Sequence, residues 1–201
     1  MNDTKEKIIR QALVYFNTHD YEKASLNEIA GALGVTKGAI YHYFGSKDEL
    51  FRETACYTLD QLETQFQSLT RRPEGLTFQE AMLAWFSFEE MGAVFMESMG
   101  IDIFSNYEKN FYMIFMALRK FPEIREKIGS IYTSLMRNLE QMLKEAKDKG
   151  ELRRDVDTEA LAFELTAYGE GAMLLRGFLP SLPLGKLSRR NFEDLWNRIK
   201  P

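Results

Sequence analysis

Apolar residues recur at the three- and four-residue spacing of α-helices along the whole chain. Runs of β-branched residues and the Asn-Gly or Asp-Gly turns typical of hairpins do not occur in the sequence. Residues 1–46 predict three short helices, with breaks at Asp20-Tyr21, Gly34 and Gly45, and the later helices are long. The pattern therefore predicts an all-α fold of about nine helices.

The long helices are bounded by recognisable breaks. Phe121-Pro122 separates two of them, because proline lacks an N–H and disfavours helix in the residue before it. Gly150 follows the longest pattern and suits the left-handed residue that ends many helices. The predicted spans are 47–69, 77–99, 102–120, 122–149, 157–178 and 188–199.

Capping boxes mark three of the predicted helix starts. In such a box the cap oxygen accepts from a backbone N–H three residues later, and a Glu there reaches back to the cap. The three pairs are Asp3 with Glu6, Ser25 with Glu28, and Ser46 with Glu49.

Residues 25–44 have the pattern of a helix-turn-helix. Each helix supplies a minimal apolar set, and Gly34 falls where the turn between them needs a positive φ. The apolar set comprises Ile29, Leu33, Val35, Ile40 and Phe44, with small Ala30 at the crossing of the helices. This geometry places the second helix in the major groove of DNA.

The other positions of the second helix suit contacts to DNA. Thr36 and the first N–H groups can bind a phosphate, and Lys37 can reach a phosphate or a guanine edge. Small residues leave room for base edges, and ring side chains offer hydrogen bonds. The set is Thr36, Lys37, Gly38, Ala39, Tyr41, His42 and Tyr43, with Lys47 opening the next helix. The alternative is a plain three-helix packing unit with aromatic surface residues.

The segment from Val35 to Phe51 resembles the signature of the TetR family of one-component transcription regulators. Between these two residues it reads Thr-Lys-Gly-Ala-Ile-Tyr-His-Tyr-Phe-Gly-Ser-Lys-Asp-Glu-Leu. Upstream positions match too, namely Ile8-Ile9, Ala12, Phe16, Tyr21, Ser25 and Ile29-Ala30. The resemblance covers about residues 5–55. It implies a DNA-binding domain over residues 1–46 and a ligand-binding and dimerisation domain over residues 47–201.

The resemblance further implies a homodimer on a palindromic double-stranded operator, and most often a repressor that a small molecule releases. A ligand-dependent activator of the same family and an all-α interaction module that does not bind DNA are the alternatives. It assigns base reading to Lys37, Gly38 and Ala39. It assigns phosphate contacts to Ser25, Thr36, Tyr41, Tyr43 and Lys47, and leaves the role of His42 open. Ligand entry would move the helix that begins at Lys47 and change the separation of the two recognition helices, which fit adjacent major grooves at about 34 Å.

The net charge of −4, taken alone, argues against a nucleic-acid partner. Its distribution changes that reading, since residues 1–50 hold six basic against seven acidic residues and the segment 36–43 holds Lys37 and no acid. We therefore expect binding to depend on a few placed cations and backbone N–H groups, with a modest salt dependence.

The region 78–121 is rich in Met and aromatic residues, which is typical either of plain core or of a pocket for a hydrophobic ligand. A helical wheel places Glu89 and Glu164 on apolar faces, where a carboxylate must be paired, protonated or reserved for a ligand. Such acids would suit a cationic ligand; internal pairing with Arg119, Arg176 or a Tyr hydroxyl is the alternative. The predicted pocket comprises Met82, Trp85, Phe86, Glu89, Met96, Phe104, Tyr107, Phe111, Phe115, Glu164 and Tyr168.

The last two helices are predicted to form the dimer interface. The span 157–178 is apolar nearly all round, with small residues along one side, and 188–199 has an apolar stripe of its own. The family resemblance favours a four-helix contact between two chains over a helix buried within one chain. The interface set is Ala160, Ala167, Gly171, Leu174, Phe178, Phe192, Leu195 and Trp196.

Several other classes of protein are not expected. One cysteine and two histidines do not make a conventional zinc site, and neither Glu-x-x-His nor a glycine-rich phosphate loop occurs. No catalytic residues, metal or cofactor are therefore predicted. The chain has no signal-peptide pattern and no apolar stretch of about 18 residues, so we expect a cytoplasmic, non-membrane protein.

Overall fold

The computed structural model describes the backbone of residues 3–19, 21–86, 107–179 and 181–201, and all of their side chains except those of residues 84, 85 and 107–111. These residues form helices and connecting turns, with no strand among them, which confirms the all-α prediction. In chain order the described helices are α1 Asp3–Thr18, α2 Leu26–Leu33, α3 Lys37–Phe44, α4 Lys47–Leu69, α5 Phe78–Trp85, α6 Tyr107–Lys120, α7 Pro122–Asp148, α8 Thr158–Phe178 and α9 Leu184–Ile199. None of the helices in this part of the chain combines the length and apolar character needed to cross a membrane.

Several predicted helix limits agree with the structure. Helices α4 and α6 end as predicted, and α7 begins at Pro122. Helix α9 begins at Leu184 rather than at Ser188, because Pro183 holds a φ of −76° that suits entry into a helix.

The capping predictions are only partly confirmed. The Glu49 N–H donates to Ser46 Oγ at 3.0 Å, as expected. The Ser25 side chain makes no capping bond, and the Glu28 carboxylate accepts from the Tyr15 hydroxyl. A complete box occurs at the start of α5, where Thr77 N donates to Glu80 Oε2 at 2.8 Å and Glu80 N donates to Thr77 Oγ1 at 3.2 Å.

The box predicted at Asp3 and Glu6 is also wrong. Both residues lie inside α1, and their carboxylates pair with Lys7 at 2.6 Å and Arg10 at 3.0 Å. Cations four residues away therefore take the acids that the cap was expected to use.

Two compact units make up the fold. The first comprises Met1–Leu62 with Asn106–Ile128, so that α6 and the start of α7 pack with the three short helices and the first part of α4. Its core includes an aromatic cluster in which Phe51 meets Phe16 edge-on at 5.0 Å and Tyr21 at 4.6 Å between ring centroids. Phe121 joins the same ring at 6.3 Å.

The second unit comprises Glu63–Ser105 and Gly129–Pro201. Apolar faces of α5, α7, α8 and α9 meet in its core, whose largest members include Phe78, Met82, Phe86, Leu139, Leu165 and Phe192. Glu151 ties the loop before α5 to this core, because its carboxylate accepts from Arg72 and from the Phe78 backbone N–H, both at 2.7 Å.

Candidate nucleic-acid interface

The turn between α2 and α3 has the geometry that the sequence predicts. Gly34 has a φ of 66°, a conformation that residues with a Cβ avoid. Gly34 N donates to Gly31 O at 3.2 Å and Val35 N to Ala30 O at 3.0 Å, which is the Schellman pattern of a helix C-terminus. Ala30, the small residue predicted at the crossing of the two helices, is buried.

Thr36 and two buried side chains fix the orientation of α3. Thr36 Oγ1 accepts from Ala39 N at 3.1 Å and so caps the helix. Ile40 and Phe44 are buried in the first unit and anchor the inner face of α3. The opposite face therefore points away from the core.

That outer face carries the residues that the sequence assigns to DNA. Five of them are exposed, namely Thr36, Lys37, Gly38, Tyr41 and His42, while Ala39 and Tyr43 are half-buried. Lys37 Nζ lies 5.6 Å from the centroid of the Tyr41 ring, which places the charge beside an accessible phenol. The face is polar and accessible, and it contains no carboxylate.

Gly38 has no internal reason to be glycine. A Cβ added there would meet only Thr36 Oγ1, at 3.6 Å, which is an ordinary van der Waals distance. The space above Gly38 is therefore open on the outer face of α3.

Ser25 and Lys47 flank this face. Ser25 is half-buried and precedes α2. Lys47 Nζ donates to the backbone oxygen of Glu22 at 3.3 Å and lies 4.6 Å from the Tyr21 ring centroid. Burial and the nearby Lys120 lower the pKa of Lys47, while the charge of Glu22 opposes this shift.

The two acids that follow Lys47 are both paired with cations. Asp48 Oδ1 accepts from Lys120 Nζ at 2.5 Å and from the Tyr21 hydroxyl. Glu49 binds Arg52, whose hydrogen bonds lower the pKa of that carboxyl. Their negative charges are thus partly neutralised beside a face that would meet phosphates.

Family models match both parts of the chain. The description "Bacterial regulatory proteins, tetR family" covers residues 8–54, and "Tetracyclin repressor-like, C-terminal domain" covers residues 118–182. The chain belongs to the TetR family. It is a DNA-binding transcriptional regulator of that family, as the sequence resemblance predicted.

Named relatives of this TetR regulator include repressors. It is 44% identical over 50 residues to the "Probable acrEF/envCD operon repressor" of Escherichia coli K12, a match that spans 25% of the chain and only 23% of that relative. It is 25% identical over 173 residues to the transcriptional repressor AcnR of Corynebacterium efficiens, covering 84% of the chain and 79% of AcnR. Similarity to the first is thus confined to one segment, whereas similarity to the second extends over most of the length.

Solved structures share the fold of this TetR regulator. A transcriptional regulator from Saccharomonospora viridis in complex with choline has a TM-score of 0.74 at 15% identity, with 100% of both chains covered. A TetR-family regulator from Mesorhizobium loti has a TM-score of 0.71 at 18% identity, covering 98% of this chain and 96% of that one.

The predicted pocket residues are only partly described. Met82 and Phe86 are buried in the core of the second unit, and half-buried Tyr168 stacks on Phe86 at 4.9 Å. Phe115 belongs to the first unit and keeps 48% of its surface accessible. Glu89, Met96 and Phe104 lie outside the described residues, as do the side chains of Trp85, Tyr107 and Phe111.

Glu164 does not face the interior, contrary to the wheel prediction. Its side chain is 52% exposed and pairs with Arg198 Nη2 at 2.8 Å. The buried face of α8 is centred on Leu161, Leu165 and Ala172, so the helix is rotated relative to the predicted face. The pairing alternative is thus the one observed, although with Arg198 rather than with the expected partners.

Sequence reasoning did not single out Glu170 of α8, whose carboxyl has a shifted pKa. Glu170 is exposed as a whole residue, yet partial loss of water around its carboxyl raises its pKa, and the hydrogen bond with Tyr132 opposes the shift. The Tyr132 ring in turn meets Phe66 edge-on at 5.8 Å. Its position four residues after buried Thr166 was the available signal.

The predicted dimer residues divide into two groups. On α8, Ala160, Ala167, Leu174 and Phe178 are exposed and Gly171 is half-buried. On α9, Phe192 and Leu195 are buried in the core of the second unit, and Trp196 packs against that core. The prediction is therefore wrong for Phe192 and Leu195, which pack within the chain, and stays a prediction for half-buried Trp196.

Proposed function

We propose that the chain is a repressor that binds a palindromic operator as a homodimer and leaves it when a small hydrophobic ligand binds. The outer face of α3 carries this proposal. Lys37, Gly38 and Ala39 would read base edges, while Ser25, Thr36, Tyr41, Tyr43 and Lys47 would contact phosphates. His42 is exposed between these groups and would contact the same groove.

Gly38 supports close approach to the bases. Since nothing inside the chain needs a glycine at this position, the open space favours a partner that comes near the backbone. The two half-sites of a palindrome then fit the two recognition helices of a dimer.

The exposed face of α8 supports the homodimer. Phe163 is 66% exposed and Phe178 is 64% exposed, and Leu174 lies on the helix surface between them. Large apolar side chains aligned on one helix face favour burial against a second copy.

A cationic group on the ligand is supported by Glu170. A carboxylate that is hydrogen-bonded to Tyr132, whose ring packs on Phe66, offers a cation both charge and aromatic surface. The fold relative from Saccharomonospora viridis was solved with choline, which is a quaternary ammonium compound. We propose no catalytic activity and a cytoplasmic location.

Fluorescence anisotropy with DNA from upstream of the chain's own gene tests the regulator. Wild-type protein should bind a discrete duplex, and Lys37→Gln should weaken binding. Lys7→Gln is the matched control, because Lys7 is an exposed lysine paired with Asp3 on α1. Equal DNA affinity of the two variants, or equal binding to duplexes of any sequence, would count against α3 as the recognition helix.

Calorimetry with choline and tetraethylammonium tests the ligand class, with neutral 3,3-dimethylbutanol as the uncharged counterpart of choline. Preferential binding of the cations, lost in Glu170→Gln but kept in Glu164→Gln, would support the proposal. A Glu89→Gln variant tests the other predicted acid. Equal affinity for the charged and neutral compounds would exclude the cationic class.

A further inference from the structure

The outer face of α3 carries an imidazole that the folded chain does not use. His42 is exposed, and within the described part of the chain it makes no hydrogen bond or ion pair. Its ring meets that of Tyr43 edge-on, at 5.4 Å between centroids. Both ring nitrogens of His42 are therefore available to a partner outside the chain.

The position of His42 on α3 suits a place between the bases and the backbone of DNA. Residues four apart lie above one another on a helix, so His42 stands one turn after Gly38, where the space above the backbone is open. Tyr43, whose ring it touches, is one of the residues proposed to contact phosphate. An imidazole in this place would have a base edge at one ring nitrogen and a phosphate oxygen at the other.

The charged and titratable groups near α3 leave no free acid beside His42. On α3 itself they are Lys37, Tyr41 and Tyr43. Helix α2 packs on α3, and its one acid, Glu28, accepts from the Tyr15 hydroxyl. From α1, Lys5 lies over the Phe44 ring and pairs with Glu53, and the first turn of α4 holds Lys47, Asp48 and Glu49, whose acids are bound by Lys120 and Arg52. DNA would therefore supply the negative charge that favours a cationic imidazole.

Protonation decides what an imidazole can bind. Histidine gains its proton between about pH 5 and 8, and the cation has two N–H donors, whereas the neutral ring has one donor and one acceptor. The major-groove edge of guanine offers two acceptors, N7 and O6, while that of adenine offers an acceptor and a donor. A ring between a guanine and a phosphate oxygen faces acceptors at both nitrogens, so the cation suits that place better than the neutral ring.

We propose that His42, in its protonated form, recognises a guanine in each operator half-site and so makes sequence recognition depend on pH. The inference rests on the DNA-binding face proposed above. Because the complex binds the proton more tightly than the free chain does, acid strengthens operator binding. This gain is lost as the pH rises and the imidazole in the complex gives up its proton.

The chain has two histidines, which gives the test a matched control. His19 is also exposed, but it follows α1, stacks on Tyr15 at 4.3 Å, and has Nδ1 2.9 Å from the Thr18 hydroxyl oxygen. The wild-type chain selects a duplex from random DNA at pH 6, and affinity for it is measured at pH 6 and pH 8 in the same salt. Wild type and His19→Gln should bind about tenfold more weakly at pH 8, whereas His42→Gln should change less than about threefold.

Base substitutions distinguish a guanine contact from a phosphate contact. Replacing the contacted G·C pair of each half-site by A·T should weaken wild-type binding about tenfold at pH 6 and less than about threefold at pH 8. His42→Arg keeps its charge at both pH values and should prefer guanine at both. An acid effect of equal size for every base substitution would place His42 on a phosphate and overturn guanine recognition.

Two further outcomes would contradict the role of His42. One is an acid effect in His42→Gln as large as that of wild type, and the other is loss of the effect in His19→Gln. If the wild-type chain selects no duplex, the proposed function fails and this inference fails with it. A selected duplex whose pH profile is unchanged by His42→Gln refutes only the role of His42.

Discussion

Thr36 Oγ1 accepts a hydrogen bond from the backbone N–H of Ala39 at 3.1 Å. This bond occupies one of the N–H groups that open α3 and leaves the hydroxyl proton of Thr36 available to donate outward. One side chain can therefore start the recognition helix and still contact a phosphate.

Replacing Thr36 should affect folding and DNA binding together. Thr36→Ala should lower the free energy of unfolding by about 1 kcal/mol through loss of the cap, and it should weaken operator binding. Thr36→Ser keeps both hydrogen bonds and should preserve both quantities. Urea unfolding and anisotropy titration measure them. A fully stable Thr36→Ala variant would show that the cap contributes nothing.

Gly38 should tolerate a methyl group in the folded chain but not in the complex. Gly38→Ala should keep or slightly raise the melting temperature, because a Cβ meets only Thr36 Oγ1 at 3.6 Å and alanine favours helix. It should nevertheless weaken operator binding by roughly tenfold or more, since each poorly made base contact costs about 1–3 kcal/mol.

Gly31→Ala is the control for this change, because Gly31 lies exposed on α2 with open space around it. It should add helix stability without altering DNA affinity. Full operator affinity in Gly38→Ala would place the bases farther from α3 than proposed.

The α8 face should control assembly. Phe163→Glu should leave the fold of the single chain intact, because the side chain is already 66% exposed. It should weaken dimerisation by roughly 30-fold or more, the effect of losing about 2 kcal/mol at an interface centre. Sedimentation equilibrium measures this change. Val14→Glu changes another exposed apolar residue, 44% accessible and on α1, and should leave the dimer unaffected.

Glu170 should make the fold more stable in acid. Because its pKa is raised in the folded state, the folded chain binds more protons than the unfolded chain between the ordinary and the raised pKa. This contribution to stability falls as the pH rises through that window. Glu170→Gln should therefore raise the melting temperature at neutral pH, and its advantage should vanish below the unfolded pKa.

Glu164→Gln serves as the comparison, since its exposed pair with Arg198 is worth little. Thermal unfolding from acid to neutral pH distinguishes the two variants. Identical pH profiles for both would mean that the Glu170 carboxyl is well hydrated in the folded chain.

The helix-turn-helix could be predicted because local chemistry dictates it. Gly34 must take a positive φ, and Ile40 and Phe44 have the spacing of one buried face. The TetR signature assigned roles to the exposed positions of α3. None of these inferences depended on which distant segments of the chain pack together.

The errors arose where a distant side chain decides the outcome. The Glu28 carboxylate of the predicted box binds the distant Tyr15 hydroxyl, and Glu164 is exposed because α8 is rotated toward Leu165. Residues 157–178 are apolar on so many sides that a wheel does not fix their orientation. The α9 stripe was assigned to a partner because an apolar helix face looks the same whether its neighbour comes from the same chain or from another.

The exposed phenylalanines of α8 have a consequence for dosage. A single chain carries one reading helix, so an operator with two half-sites is filled only after two chains meet. While the proposed dimer is scarce, its amount rises with the square of the chain concentration. Genes under such an operator would be repressed over a narrow range of regulator copies per cell. A small change in synthesis of the regulator would therefore cause a large change in their transcription.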